Sequence, residues 1–434
     1  MRSTPRCLSA SVGRNGCKAL RIVDSTNRRA VRALLSPERT RDTATERRVA
    51  AIVSDVRHAG DHALRRYARQ LDGLDGPIEV SRDEMRRAAR DVPAQVRAAL
   101  QTAAKHIRVV AARQVPRGWR SRVAPGVTVE QRIVPLERVG CYEPAGRYPL
   151  PSSLLMTAIP ADAAGVGEVV AVCPRPAPVV MAAALEAGVS RLFRVGGAHA
   201  IAALAYGTDT IPRVDKIVGP GNRYVAAAKA LVAADCGIDF YAGPTEIVMV
   251  SSRGPADWIA ADLIAQAEHD PDARAVLITP RRTLAERVAS QVAARLPAAG
   301  PARAALKSHG GIIVTRTTAE ALVLANAAAA EHLVVDDERM AAKVRCAGSL
   351  FVGPWTAQVA GDYAIGSNHV LPTAGAARVR GGLSAADFVR QMTVQRLTPA
   401  GLRRIGPTVI DLATAEGLSA HAASVAVRMK GPRA

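Results

Sequence analysis

Four short stretches of the sequence carry side chains able to do chemistry. Gln266-Ala267-Glu268-His269 closes an apolar, helical pattern (WIAADLIAQAEHDPDA), and the three-residue spacing sets Gln266 and His269 on one helix face, as two metal ligands require. Alone, that spacing is met more often by a half-exposed histidine near a helix end, where a cation suits the macrodipole. Glu331 and His332 are adjacent, between an Ala-rich stretch and an apolar run (ANAAAAEHLVVDD). A carboxylate beside an imidazole supports proton transfer near neutral pH because the imidazole titrates there, although solvated surface is the commoner home for such a pair. The polar, loop-like segment GDYAIGSNHVLPT (361–373) offers Asp362, Asn368 and His369. Near the C-terminus, EGLSAH places Glu416 and His421 on a helix or turn. Together, His269, Asp362, His421 and the side-chain carbonyl of Gln266 form a mixed nitrogen and oxygen set suited to a borderline ion such as zinc or manganese.

Glycines cluster at VGGAHA (195–200) and VGPGNRY (218–224), each after a β-rich run and before a helical pattern. Backbone N–H groups at such a turn can approach a pyrophosphate. Neither cluster is a GxGxxG, and a tight strand-to-helix turn is the default reading.

These residues must be positioned by the elements around them. From Thr45 to Leu71 apolar residues return every three or four positions, the signature of an amphipathic helix, and residues 83–111 read likewise. β-rich runs at 168–174, 191–197 and DKIVGPGN alternate with Ala-rich helical stretches, and a second series follows at 246–252, 273–279 and 311–315. That alternation predicts parallel sheets covered by helices on both faces, in two successive domains. At 434 residues the chain also exceeds the roughly 250–300 residues at which single cores stop growing. The tail from about Ser384 reads as helical and polar, without a strand signal.

With 49% hydrophobic but only 3% aromatic residues, the interior must be built from Ala, Val, Leu and Ile. No apolar run approaches the roughly 18–20 residues of a membrane span, and the basic start lacks the apolar stretch of a secretory signal, so a cytoplasmic protein without membrane contact is expected. The first 20 residues read as disordered, though an Arg-rich presequence would share their composition. The six cysteines are scattered without a CxxC pair and read as reduced thiols. The net charge of +20 raises nucleic-acid binding. However, beyond residues 1–48, which hold 12 Arg or Lys against 4 Asp or Glu, the excess is thinly spread and lacks aromatic interleaving, which argues against a nucleic-acid partner.

Several segments together resemble histidinol dehydrogenase over roughly residues 35–428. They are DVRHAGDHALRRYARQLDG (55–73), VGCYEPAGRYPLPSSLLMTAIPA (139–161), VGGAHAIAALAYGTDTIPRVDKIVGPGN (195–222), YAGPTEIVMV (241–250), LIAQAEHDPDA (263–273), AEHLVV (330–335), AGDYAIGSNHVLPT (360–373) and GLSAHAASVAVR (417–428). The resemblance implies an α/β fold of two incomplete Rossmann-like domains with parallel sheets plus small helical terminal segments, in a homodimer whose active site is shared between subunits. It implies one zinc per subunit, held by Gln266, His269, Asp362 and, from the other subunit, His421. It also implies a reaction from the amino alcohol L-histidinol through L-histidinal to L-histidine, the last steps of histidine biosynthesis, using two NAD. His332 would be the base on the alcohol, Glu331 would activate water, and the dinucleotide would lie near Tyr142, His199 and Asn222. Substrate contacts would come from Thr245, Gln266, His269, His332, Asp362, His369, Glu416 and His421. Laid over the strand series, it predicts a basic N-terminal arm at 1–35 and a first domain from 36–138 with 244–384 carrying the metal and catalytic residues. A second, NAD-side domain is predicted at 139–243, and a small helical segment at 385–434 would reach the partner.

The sequence departs from the family at four points. His199 stands where Gln is usual, Thr245 where Ser is common, Ala330 where Pro usually precedes the Glu-His pair, and EPAG (143–146) replaces xPGG. None removes a catalytic or metal group. The rival readings are a paralogous zinc and NAD dehydrogenase for another amino alcohol or a sulfonated diol, and a non-catalytic basic binding protein on the same fold. Retention of Glu416 and His369 favours histidinol over an anionic substrate.

Overall fold

The computed structural model describes residues 20–35, 42–144, 146, 148–241 and 243–431. Along the chain these form β1 (Arg21–Asp24), α1 (Arg28–Leu35), α2 (Thr43–Tyr67), β2 (Glu79–Val80), α3 (Arg82–Arg90), α4 (Ala94–Gln114), β3 (Trp119–Ala124), β4 (Val127–Pro135), β5 (Arg138–Tyr142) and α5 (Pro151–Ala163). Next come β6 (Glu168–Val172), α6 (Pro178–Glu186), β7 (Arg191–Phe193), α7 (Gly197–Tyr206), β8 (Lys216–Val218), α8 (Arg223–Val232) and β9 (Gly237–Ile238). The second series is β10 (Glu246–Val250), α9 (Ala256–Ala267), β11 (Arg274–Thr279), α10 (Arg282–Arg295), α11 (Pro301–His309), β12 (Gly311–Val314), α12 (Thr318–Ala328), β13 (His332–Val335), α13 (Glu338–Ala341), β14 (Ser349–Val352) and α14 (Gln358–Tyr363). The chain closes with β15 (Val389–Leu397), α15 (Pro399–Ala415) and α16 (Ser419–Met429).

Two compact units result. One takes the described residues before Asp42 with Tyr241–Asp362 and Leu371–Gly382; the other takes Asp42–Phe240, Tyr363–Val370 and the chain from Leu383. The first holds the sheet β1-β12-β11-β10-β13-β14, all parallel. Its strands are near-continuous apolar runs such as IVMV and AVLIT because helices cover both faces. The second holds β2-β7-β6-β5-β8-β9, parallel but for β2, and a separate antiparallel sheet β15-β4-β3. From β5 to β9 and from β10 to β14 the two sheets repeat one strand order, which bears out the expected pair of Rossmann-like α/β sheets.

The boundaries run differently from those expected. Residues 42–138 belong with 139–240, because the apolar face of α2 (Val49, Val53, Val56, Leu64) buries against α7 and α8, and β2 adds to the edge of β7 through Glu79↔Phe193. The expected arm at 1–35 is built into the first unit from Leu20 onward: β1 pairs with β12, and Leu34 is fully buried beside Gly311. Residues 1–19, on which the expectation of disorder falls, lie outside the described residues. The C-terminal tail is not wholly helical. VRQMTVQRL forms β15, nine residues paired with β4 from Val389↔Pro135 to Leu397↔Val127. The strand is largely exposed, so its residues lack the continuous apolar run that marks a buried strand. Among the described residues no helix is long and apolar enough to cross a membrane.

Candidate active site

The catalytic candidates gather at the amino ends of two neighbouring parallel strands. β10 and β13 pair through Ile247↔His332, which sets Thr245 and Glu246 beside Glu331 and His332. α9 returns antiparallel to β10, so its last turn brings Gln266 to the same end of the sheet. Gln266, Glu331 and His332 are all buried.

A directed chain of hydrogen bonds joins them. Gln266 Nε2 donates to Thr245 Oγ1 at 2.6 Å, and the Thr245 hydroxyl donates to Glu331 Oε2 at 2.6 Å. The same carboxylate oxygen accepts from the Glu246 backbone N–H at 2.8 Å. Burial outweighs these bonds and pushes the Glu331 carboxyl up to about 8, with the nearby Glu246 and Asp362 carboxylates adding to the rise. His332 Nδ1 lies 3.1 Å from the Glu246 carbonyl. A carbonyl only accepts, so Nδ1 carries a proton and the neutral ring presents Nε2 as its acceptor. Nε2 sits 3.8 Å from Asp362 Oδ1.

Asp362 lies in α14, where Gln358 Nε2 donates to its Oδ2 at 2.9 Å. Burial pushes its carboxyl up, while the charge of His332 and His269 when they are protonated, and the Gln358 hydrogen bond, pull it down. Because the Gln266 amide spends its N–H on Thr245, its carbonyl Oε1 is buried without a hydrogen-bond partner among the described residues. An orphaned buried carbonyl, a buried carboxylate and an imidazole are donor types that suit a borderline divalent ion such as zinc, although among the described residues no group of three or more His, Cys, Asp or Glu is gathered closely enough to hold one. His269 stands just beyond α9, exposed in the turn after the helix and not on the helix face expected.

Glu416 and His421 lie in the other unit. Glu416 caps the end of α15, His421 sits in the first turn of α16, and both are exposed. His369 lies in the 364–370 loop with Nε2 3.3 Å from Ser153 Oγ, and neighbouring Asn368 donates to the Met156 carbonyl at 2.6 Å.

The cofactor candidates sit at the carboxyl ends of β5 and β8, where the strand order of the second sheet reverses and α/β sheets hold ligands. Tyr142 is buried, its hydroxyl accepting from Gly197 N–H at 3.0 Å at the start of α7. His199 is fully buried, with Nε2 2.8 Å from Asp72 Oδ2 and its ring stacked on Tyr67 at 6.0 Å. Asn222 caps α8 by accepting from Tyr224 and Val225 N–H. Between them, Gly219 adopts φ +116°, and a Cβ there would fall 2.2 Å from the Tyr142 carbonyl oxygen. Lys229 Nζ donates to the Gly219 carbonyl at 3.0 Å and Asp239 accepts its N–H at 2.8 Å, so a buried ion pair clamps the turn. Only glycine fits this cradle, which suits the close approach of a dinucleotide.

Three contributors escaped the sequence reading: Gln358 behind Asp362, Asp72 behind His199, and the buried pair Glu246–Arg274 (3.1 Å) beneath the catalytic strands. Asp72 and His199, like Glu246 and Arg274, come from distant parts of the chain, and Gln358 lies one helical turn before Asp362 with no motif to mark it.

The sequence model of the family described as histidinol dehydrogenase matches residues 35–429. The histidinol dehydrogenase of Cereibacter sphaeroides is 45% identical over 411 residues, covering 92% of this chain and 95% of that protein. That of Halobacterium salinarum is 48% identical over 396 residues, covering 88% and 92%. The crystal structure of histidinol dehydrogenase from Elizabethkingia anophelis superposes with a TM-score of 0.90 at 32% identity, covering 95% of this chain and 98% of that one.

Proposed function

The chain belongs to the histidinol dehydrogenase family, and on that premise we propose that it oxidises L-histidinol to L-histidine by way of L-histidinal, with two NAD in succession. The observation that carries the reading is the buried Glu331–His332 pair at the amino ends of β10 and β13, wired through Thr245 to Gln266. His332, its Nδ1 proton committed to the Glu246 carbonyl, receives the alcohol proton at Nε2. Glu331, once ionised, takes a proton from the water that adds to the aldehyde carbon. Its raised affinity for protons makes it a stronger base than a solvated carboxylate and fits it to alkaline operation. Thr245 holds the carboxylate in place and keeps the Gln266 carbonyl turned away from it.

Gln266, His269, Asp362 and the partner subunit's His421 would hold zinc, whose contribution is to template the substrate's amine and imidazole. Tyr142, His199 and Asn222 would border the NAD, the hydride acceptor of both oxidations. His369 and Glu416 would recognise the substrate alongside Thr245 and the metal ligands. A homodimer follows from this ligand set. It is supported by the exposure of Glu416 and His421 and of neighbouring Leu412 (62% exposed) and Val427 (59%). A cytoplasmic location accords with the need for NAD.

The test is NADH formation by zinc-loaded protein with limiting L-histidinol, beside other amino alcohols and sulfonated diols. Two NADH per histidinol are expected. Silence with histidinol and turnover of another alcohol would overturn the substrate and turn attention to the Thr245 methyl as the altered contact.

A further inference from the structure

The catalytic pair uses the amino ends of β10 and β13, which leaves the carboxyl ends of the same strands without a role. There the first sheet has its own reversal point: the chain runs from β10 outward through β11 and β12, then crosses back to place β13 on the other side of β10. In open α/β sheets the crevice at such a point is where ligands bind. A small cavity of about 40 Å³ occupies it, room for an ammonium head with its ring left outside against the partly exposed Trp258; its walls are Trp258, Ile259, Pro255 and Pro354, with Asp262 and Asp336 as its charged groups. Among the described residues no Lys, Arg or His lines it, in a chain of net charge +20.

The polar groups of this pocket differ in how far they are committed. Ser251 Oγ accepts from Gly254 N–H, the Thr356 hydroxyl donates to the Val352 carbonyl, and Asp336 accepts from Ser252 N–H and hydroxyl at 2.7 and 3.0 Å. The half-buried Asp262 carboxyl has neither a hydrogen bond nor a cation among the described residues, and burial alone pushes it up to about 6. Beside it, Trp258 meets Trp355 edge-on with ring centroids 5.0 Å apart, and Trp355 is 86% exposed. The free N–H groups in the first turn of α9 amount to roughly half a positive charge, which two carboxylates outweigh. A nucleotide phosphate is therefore repelled here, although the topology is that of a nucleotide site.

From this geometry we infer a second small-molecule site at the carboxyl ends of β10 and β13, taking a compact ring-bearing amine whose ammonium pairs with Asp262 while its ring lies against Trp258. Aromatic faces and a carboxylate in an apolar wall are together the recognition elements of a flat organic cation. Trp258, Asp262 and Gln266 are spaced four apart along α9, so the helix carries this site at its start and the catalytic carbonyl at its end. Along the helix axis the catalytic carbonyl lies roughly 12 Å from Trp258 and roughly 6 Å from Asp262 at 1.5 Å rise per residue.

The probe is 2-phenylethylamine, titrated into the zinc-loaded full-length protein and followed by tryptophan emission and by calorimetry. Of the three tryptophans of the chain, Trp258 lines this pocket and Trp355 packs against it. Saturable binding is expected, with unchanged affinity in the catalytic-site variants His332→Ala and Glu331→Gln. 3-Phenylpropionate, an anion of the same shape, and the Asp262→Asn variant should each bind or be bound about tenfold more weakly, the worth of one charge-assisted hydrogen bond. Trp258→Leu should abolish the emission change and weaken the calorimetric binding. Binding lost in those catalytic-site variants but intact in Asp262→Asn would put the amine in the catalytic site and overturn the inference. So would equal affinity for amine and anion, a comparison on unaltered protein that no folding defect can confuse. Neither result depends on whether histidinol is turned over.

Discussion

Replacing Glu331 by Gln keeps the shape of the side chain, and its oxygen can still accept from Thr245 and the Glu246 N–H, but it removes a carboxyl whose affinity for protons rises on folding from 4.5 to about 8. Between those values the folded chain holds a proton that the unfolded chain has released. Stability therefore falls as pH rises through that window, is complete below about 4.5 and has lost this contribution above about 8. At ~1.4 kcal/mol per tenfold change the full loss would be about 5 kcal/mol, and the penalty for a buried group in a yielding protein, about 1–3 kcal/mol, sets the expected figure. Thermal melting of wild type and Glu331→Gln, with chelator present so that no divalent ion offsets the local field, should give similar midpoints near pH 5. At pH 9 the variant should melt several degrees higher, at roughly 2 °C per kcal/mol for a chain of this size. The same variant should stop acid formation. Parallel melting curves across the range would refute the assignment of a protonated, buried Glu331.

Thr245→Val should uncouple Gln266 from Glu331 at nearly constant volume. It removes a bond that favours the carboxylate, so the pH at which acid formation reaches half its maximum should move upward, while Thr245→Ser leaves it unmoved; identical profiles for Val and Thr would dismiss the relay. Arg274→Met strands the buried Glu246 carboxylate and should cost about 3–5 kcal/mol in urea unfolding, with most of that recovered in Arg274→Met/Glu246→Leu; a mild single variant would mean that the pair contributes little. His421→Ala should lower zinc content after dialysis, and full retention of zinc would remove His421 from the ligand set.

Much of the site was legible because its residues cluster in sequence. Glu331 and His332 fall where an Ala-rich helix yields to β-branched residues, and the structure begins β13 at His332. What stayed hidden is long-range. Nothing local marks Glu246 as the carboxylate that accepts Ala374 N–H and pairs with Arg274, for at the start of an apolar strand it reads as an exposed edge. The unit boundary was misplaced because α2 shows its apolar stripe in the sequence but not the helices, α7 and α8, that stripe meets. β15 was missed because a strand with both faces largely in water keeps no hydrophobic period.

Both sheets carry one strand order yet are read from opposite edges, the second at its carboxyl ends and the first at its amino ends. The loops that diversify most freely in α/β enzymes, those leaving the carboxyl ends, therefore do not touch the catalytic pair of the first unit. A search for altered substrate preference is better aimed at Thr245, the turn around His269 and the α15–α16 corner. Residues 251–255 and 353–357 form a rim where sequence can drift, or be grafted, at little cost to the chemistry.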